Sequence, residues 1–66
     1  MNLDTQKRIA ANLKILRTCK NMSQTQMADL AGISRSLYTH YELARRTPDA
    51  EVLFKITSRF GINMGT

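Results

Sequence analysis

Residues 22–42 read MSQTQMADLAGISRSLYTHYE, and the order of caps, small residues and glycine within this stretch decides the fold. Ser23 is a natural helix N-cap, and Met27, Ala28, Leu30 and Ala31 after it give the apolar spacing of a helix about two turns long. Gly32 stops that helix, where the chain reverses and a positive φ is expected. Ser34 caps a further helix running from Arg35 to Leu43, in which Tyr38 and Tyr41 form an i, i+3 pair. Ala28 is small where two helix axes must approach, and Ile33, Tyr38 and Tyr41 are expected to face inward. The outward face is then Arg35, Ser36, Thr39 and His40, every one of them able to hydrogen-bond.

The flanking segments are helical as well. Upstream, Asp4 or Thr5 can cap a first helix whose Ile9, Leu13, Leu16 and Lys20 stem recur on one stripe, with Lys7, Lys14 and Thr18 opposite. Arg17 lies about 80° from Ile9 at 100° per residue, on the shoulder of that stripe, and Asn21-Met22 ends the helix. Downstream, Pro48 stands at the first helical position or just before it, and Asp49 and Glu51 suit the positive end of a helix. That helix is expected to bury Ala50, Leu53, Ile56 and Phe60 and to end at Gly61. No stretch alternates polar and apolar residues as a strand would. The expectation is an all-α domain over residues 1–66, compact, with helices near 5–20, 24–31, 35–43 and 49–60.

The chain has 66 residues, enough for one small domain and one binding face. Ten Lys and Arg against five Asp and Glu leave a net charge of +5, so the natural partner is a polyanion. No apolar run approaches the ~20 residues that a bilayer requires and the first residues lack a signal-peptide core, so a cytoplasmic location and no membrane partner are expected. A lone Cys19 and a lone His40 offer no disulfide and no zinc-ligand spacing. Neither paired carboxylates, a nucleophile with its base, nor a phosphate-cradling glycine loop is legible, so no enzyme, cofactor or small-molecule ligand is expected.

Two helices joined by a tight glycine turn form a helix-turn-helix, whose second helix enters the DNA major groove. The string from Met22 to Ser36, with Tyr41 and Glu42, resembles the Cro and phage-repressor (Xre-like) helix-turn-helix family. The likeness runs from Ile9 to Asn63, and implies a lambda-repressor-like domain of four to five helices that binds a double-stranded DNA operator as a transcriptional regulator, a repressor or autoregulatory controller. It implies that Gln24 contacts a phosphate, that Arg35 reads a base by a bidentate guanine contact, and that Ser36, Thr39 and His40 are further base readers. His40 could equally hold a phosphate or lie solvated. Leu37 either touches a thymine methyl or shields the turn. Arg45 and Arg46 are implied as phosphate contacts, and Arg17 and Glu42 as an internal ion pair.

The chain departs from the family in two places. Leu43-Ala44 stands where many relatives have Asn-Gly, which bears on the turn and on any backbone contact to phosphate. Relatives commonly begin a fifth helix after the position of Asn63 and dimerise there; in its place Ile15, Val52 and Phe54 offer a substitute surface for a homodimer. The same three residues would serve a protein-interaction module, an antitoxin or adaptor, which is the alternative function. Tyr38 and Tyr41 stand where relatives are aliphatic; core packing with the hydroxyl reaching the surface, or a phosphate bond, are the two readings.

Overall fold

The computed structural model describes residues 3–61, and these form four helices and no strand. They are α1 (Leu3–Cys19), α2 (Gln24–Ala31), α3 (Arg35–Glu42) and α4 (Ala50–Phe60). The fold is all-α, with α3 packed against α1 and α2, and α2 also against α4. The expected fifth-helix start after Asn63 lies outside the described residues.

Each helix start after the first has its own acceptor. Ser23 Oγ accepts from Gln26 N while Gln26 Oε1 accepts from Ser23 N, a reciprocal capping box. Ser34 caps α3 by accepting from Leu37 N, and Asp49 caps α4 by accepting from Val52 N. Asp49 is therefore the cap itself, with Pro48 before it, and α4 begins at Ala50, one residue later than the expected start at 49. At α1 the helix already includes Leu3, so Asp4 and Thr5 lie inside the first turn rather than at its cap.

All four helices end on a left-handed residue: Asn21 at φ 55°, Gly32 at 72°, Ala44 at 59° and Gly61 at 69°. After α2, Gly32 N donates to Asp29 O and Ile33 N to Ala28 O, the paired bonds of a Schellman turn. The same pair recurs after α1, from Asn21 N to Thr18 O and Met22 N to Arg17 O. After α3 it recurs again, from Ala44 N to Tyr41 O and Arg45 N to His40 O. Leu43 is thus the C-cap of α3 and not its last helical residue.

The core comprises Leu13, Met27, Ala28, Ala31, Tyr38, Tyr41, Val52 and Ile56, with Ile9, Leu16, Ile33, Leu37 and Phe60 packed around it. Tyr38, Met27 and Ile56 are its largest fully buried side chains. Four details differ from the expectation. Ala50 is exposed and Val52 is buried instead, because the side of α4 that meets α2 is the Val52–Ile56 side. With Val52 in the core, the surface expected of Ile15, Val52 and Phe54 does not form, although Ile15 and Phe54 are themselves exposed. Lys20 lies outside the buried stripe, exposed, with Nζ 5.8 Å from the centre of the Phe60 ring, a cation–π distance. The Tyr38 hydroxyl does not reach the surface: Oη is buried without a hydrogen bond of good geometry.

Candidate nucleic-acid interface

Arg35, Ser36, Thr39 and His40 lie along one face of α3 because they recur at helical spacing of one, three and four residues. With Leu43 and Arg45 they line a single open cleft of about 400 Å³. Arg35, Ser36 and Arg45 are exposed, whereas Thr39 and His40 are half-buried. Arg46 is exposed but does not line the cleft. Among the described residues, Arg35, Arg45 and Arg46 have no acidic partner, so this side of the molecule presents uncompensated positive charge.

Behind the cleft lies a buried ion pair. Arg17 Nε donates to Glu42 Oε2 at 2.7 Å and Arg17 Nη2 to Glu42 Oε1 at 3.3 Å, with the two side chains only 16% and 5% exposed. Arg17 Nη1 also donates to Met22 O at 3.0 Å. One guanidinium therefore ties the end of α1 to the entry of α2 and the end of α3. Burial alone would raise the Glu42 carboxyl, but hydrogen bonds from Arg17 and Gln24, the nearby Tyr38 hydroxyl and the Arg17 charge together hold it below its usual range. The hydrogen bond to Glu42 raises Arg17 in turn. Burial pushes the Tyr38 phenol well above its usual value, and the Glu42 carboxylate beside it adds to the rise.

Gln24 sits at the first position of α2 and is bound into the same network. Its Nε2 donates to Glu42 Oε1 at 3.2 Å and its Oε1 accepts from Thr39 Oγ1 at 3.0 Å. Thr39 Oγ1 is also 2.9 Å from Arg35 O, the back-bond common for threonine in a helix. The structure thus groups Arg35, Ser36, Thr39, His40 and Arg45 in one cleft, attaches Gln24 to it through Thr39, and leaves Arg46 to one side.

The loop after α3 forms with alanine in the left-handed position, and Gln6 Nε2 holds Ala44 O from α1 at 2.9 Å. The backbone amides of Ala44, Arg45 and Arg46 all turn inward, to Tyr41 O and His40 O, so this loop offers side chains rather than amides to a partner. Of the two leucines, Leu37 packs, partly buried, against the core, whereas Leu43, 54% exposed, is the apolar wall of the cleft. The sequence reading missed Leu43; its spacing of four from Thr39 and eight from Arg35 was the available signal.

Among the described residues no cluster of three or more His, Cys, Asp or Glu could hold a metal, and no helix is long and apolar enough to cross a membrane.

Residues 13–66 match the family model described as helix-turn-helix. The chain is 42% identical over 53 residues to an uncharacterized HTH-type transcriptional regulator, YqaE, of Bacillus subtilis (strain 168), covering 80% of this chain and 46% of that protein. It is 41% identical over 51 residues to an SPbeta prophage-derived uncharacterized HTH-type transcriptional regulator, YonR, of the same organism, covering 77% of this chain and 47% of the relative. The chain thus spans just under half the length of these curated relatives. No solved structure matches it. With the capped helix pair, its glycine turn and a family model that covers most of the sequence, the chain belongs to the helix-turn-helix family, which is non-enzymatic.

Proposed function

We propose that this chain is a sequence-specific double-stranded DNA-binding regulator of transcription, of repressor or autoregulatory type, acting in the cytoplasm on an operator read through the major groove. The observation that carries the reading is the cleft on the outward face of α3, where Arg35, Ser36, Thr39 and His40 stand together beside unpaired arginine charge. Arg35 is the base reader with most discriminating power, since a guanidinium can donate two bonds to guanine N7 and O6. Ser36 and His40 add shorter-range contacts, and Arg45, Arg46 and the Gln24 amide hold phosphates. The names of the two relatives support this reading. Two copies of the chain would read a near-palindromic site with recognition helices about 34 Å apart.

Selection of bound sequences from a random duplex pool at physiological salt tests this directly. The expected outcome is enrichment of one short, near-palindromic motif. Recovery of duplexes with no shared sequence would overturn the sequence-specific reading.

A further inference from the structure

The side chain of Gln24 is gripped from two sides, and the grip admits only one orientation. Glu42 offers its carboxylate oxygens as acceptors, and Arg17 at 2.7 Å keeps that carboxylate ionised. The Gln24 amide nitrogen must therefore face Glu42, which it does at 3.2 Å. Its amide oxygen is then left facing Thr39 Oγ1 at 3.0 Å, and two oxygens at that distance require the threonine to donate. Thr39 has a single hydroxyl hydrogen, already within reach of Arg35 O at 2.9 Å, so both of its short contacts draw on that one donor.

Two consequences follow from this count of hydrogens. The Gln24 Nε2 group carries two, Glu42 takes one, and the other remains for an acceptor outside the protein. Thr39, whose hydrogen is committed inside the protein, has no donor left for a base edge. We propose that Thr39 is a positioning residue: it fixes the Gln24 amide so that the remaining Nε2 hydrogen meets a DNA phosphate, and it donates no hydrogen bond to a base. The inference rests on the reading of Gln24 as a phosphate contact, and it reassigns Thr39 within that reading. Glu42 becomes the second half of the same clamp, so the ion pair that closes the core also orients an amide at the surface.

The test uses two duplexes, the one recovered from the random-pool selection and a scrambled version of the same base composition. Thr39→Val removes the hydroxyl while keeping the branched shape, Thr39→Ser keeps the hydroxyl, and Gln24→Ala removes the amide. Thr39→Val is expected to weaken binding to both duplexes by the same factor, about 3- to 10-fold, and Thr39→Ser by no more than about 2-fold. In the Gln24→Ala background Thr39→Val should have no further effect, because the group it positions is gone. The salt dependence of binding should stay unchanged in all three, since a neutral amide releases no counterion. Thermal melting of each variant separates these effects from loss of fold, with Thr39→Ala as a second hydroxyl deletion. The proposal is overturned if Thr39→Val changes the ratio of the two affinities, or if its effect multiplies with that of Gln24→Ala. If the unmodified protein bound neither duplex, the regulator reading itself would fall, and the role of Thr39 with it.

Discussion

Glu42 is the residue through which most of the interior polar contacts pass. Its carboxylate meets Arg17 and Gln24 and lies beside the Tyr38 hydroxyl, with the side chain 5% exposed. Glu42→Gln keeps the shape but leaves the Arg17 charge, whose side chain is only 16% exposed, without its counter-ion. Breaking a buried pair in this way costs about 3–5 kcal/mol. At roughly 4–8 °C per kcal/mol for a domain of this size, Tm should fall by more than about 10 °C, and a shift of only a degree or two would show the pair to be dispensable. The same carboxyl sets an acid limb. Its pKa is lower in the folded protein than in the unfolded chain, so the stability it contributes is fully present above the usual glutamate value of 4.5 and is lost as the pH falls below it. Glu42→Gln should flatten that limb in a series of melts below pH 5. The pairing itself was open to sequence reasoning, through the family resemblance and the angle of Arg17 on α1. The clamp on Gln24 was not, since three side chains on two helices meet only once α2 and α3 are packed.

At the scale of elements, the helix ends show why some of the fold is legible and some is not. Ser23, Ser34, Gly32 and Gly61 announce their roles because capping and left-handed turns are local chemistry that few residue types satisfy. Ala44 announces nothing, yet it sits at φ 59° and closes α3 by the same turn that Gly32 closes α2. The turn is imposed from outside the segment, by the Gln6 hydrogen bond to Ala44 O and by the packing of Tyr41. The buried side of α4 was misread for a related reason. The expected positions 50, 53, 56 and 60 and the observed 52, 56 and 60 share Ile56 and Phe60 and both recur at helical spacing, and only contact with α2 selects Val52 over Ala50. A left-handed alanine costs about 1–2 kcal/mol against glycine, part of which glycine returns through the greater freedom of the unfolded chain. Ala44→Gly should therefore raise stability by roughly 0.5–1 kcal/mol, a few degrees in Tm. Gly32→Ala should do the reverse, because the strain lies in φ; the added Cβ would meet only the flexible end of Lys55 at 3.4 Å. Equal melting of Ala44→Gly and the unmodified protein would mean that the loop relaxes around alanine without strain.

Across the whole molecule, the ten Lys and Arg against five Asp and Glu differ in their surroundings, and Lys7, Arg8, Lys14 and Arg59 stand on α1 and α4 without an ion pair among the described residues. Arg17 is neutralised inside by Glu42, Lys55 lies 3.4 Å from Glu51 on an exposed turn, and Lys20 covers the Phe60 ring. Arg35, Arg45 and Arg46 instead stand on the α3 side of the molecule without acidic partners among the described residues. A protein that neutralises about 4–6 phosphates should lose affinity with a slope of log K against log salt near −4 to −5. The three arginines should divide that affinity unequally. Arg46 lies off the cleft, so Arg46→Ala is expected to weaken selected and scrambled duplexes alike and to reduce the slope by about 0.9. Arg35 opens the recognition helix inside the cleft, so Arg35→Ala should cost about 1–3 kcal/mol at one base pair of the selected site and leave scrambled DNA much less affected. Titrating both variants against both duplexes at several salt concentrations separates the two roles. If Arg35→Ala weakened the two duplexes equally, Arg35 would be holding a phosphate, and the reading of sequence would have to rest on Ser36 and His40, whose single contacts discriminate less than a guanidinium fork.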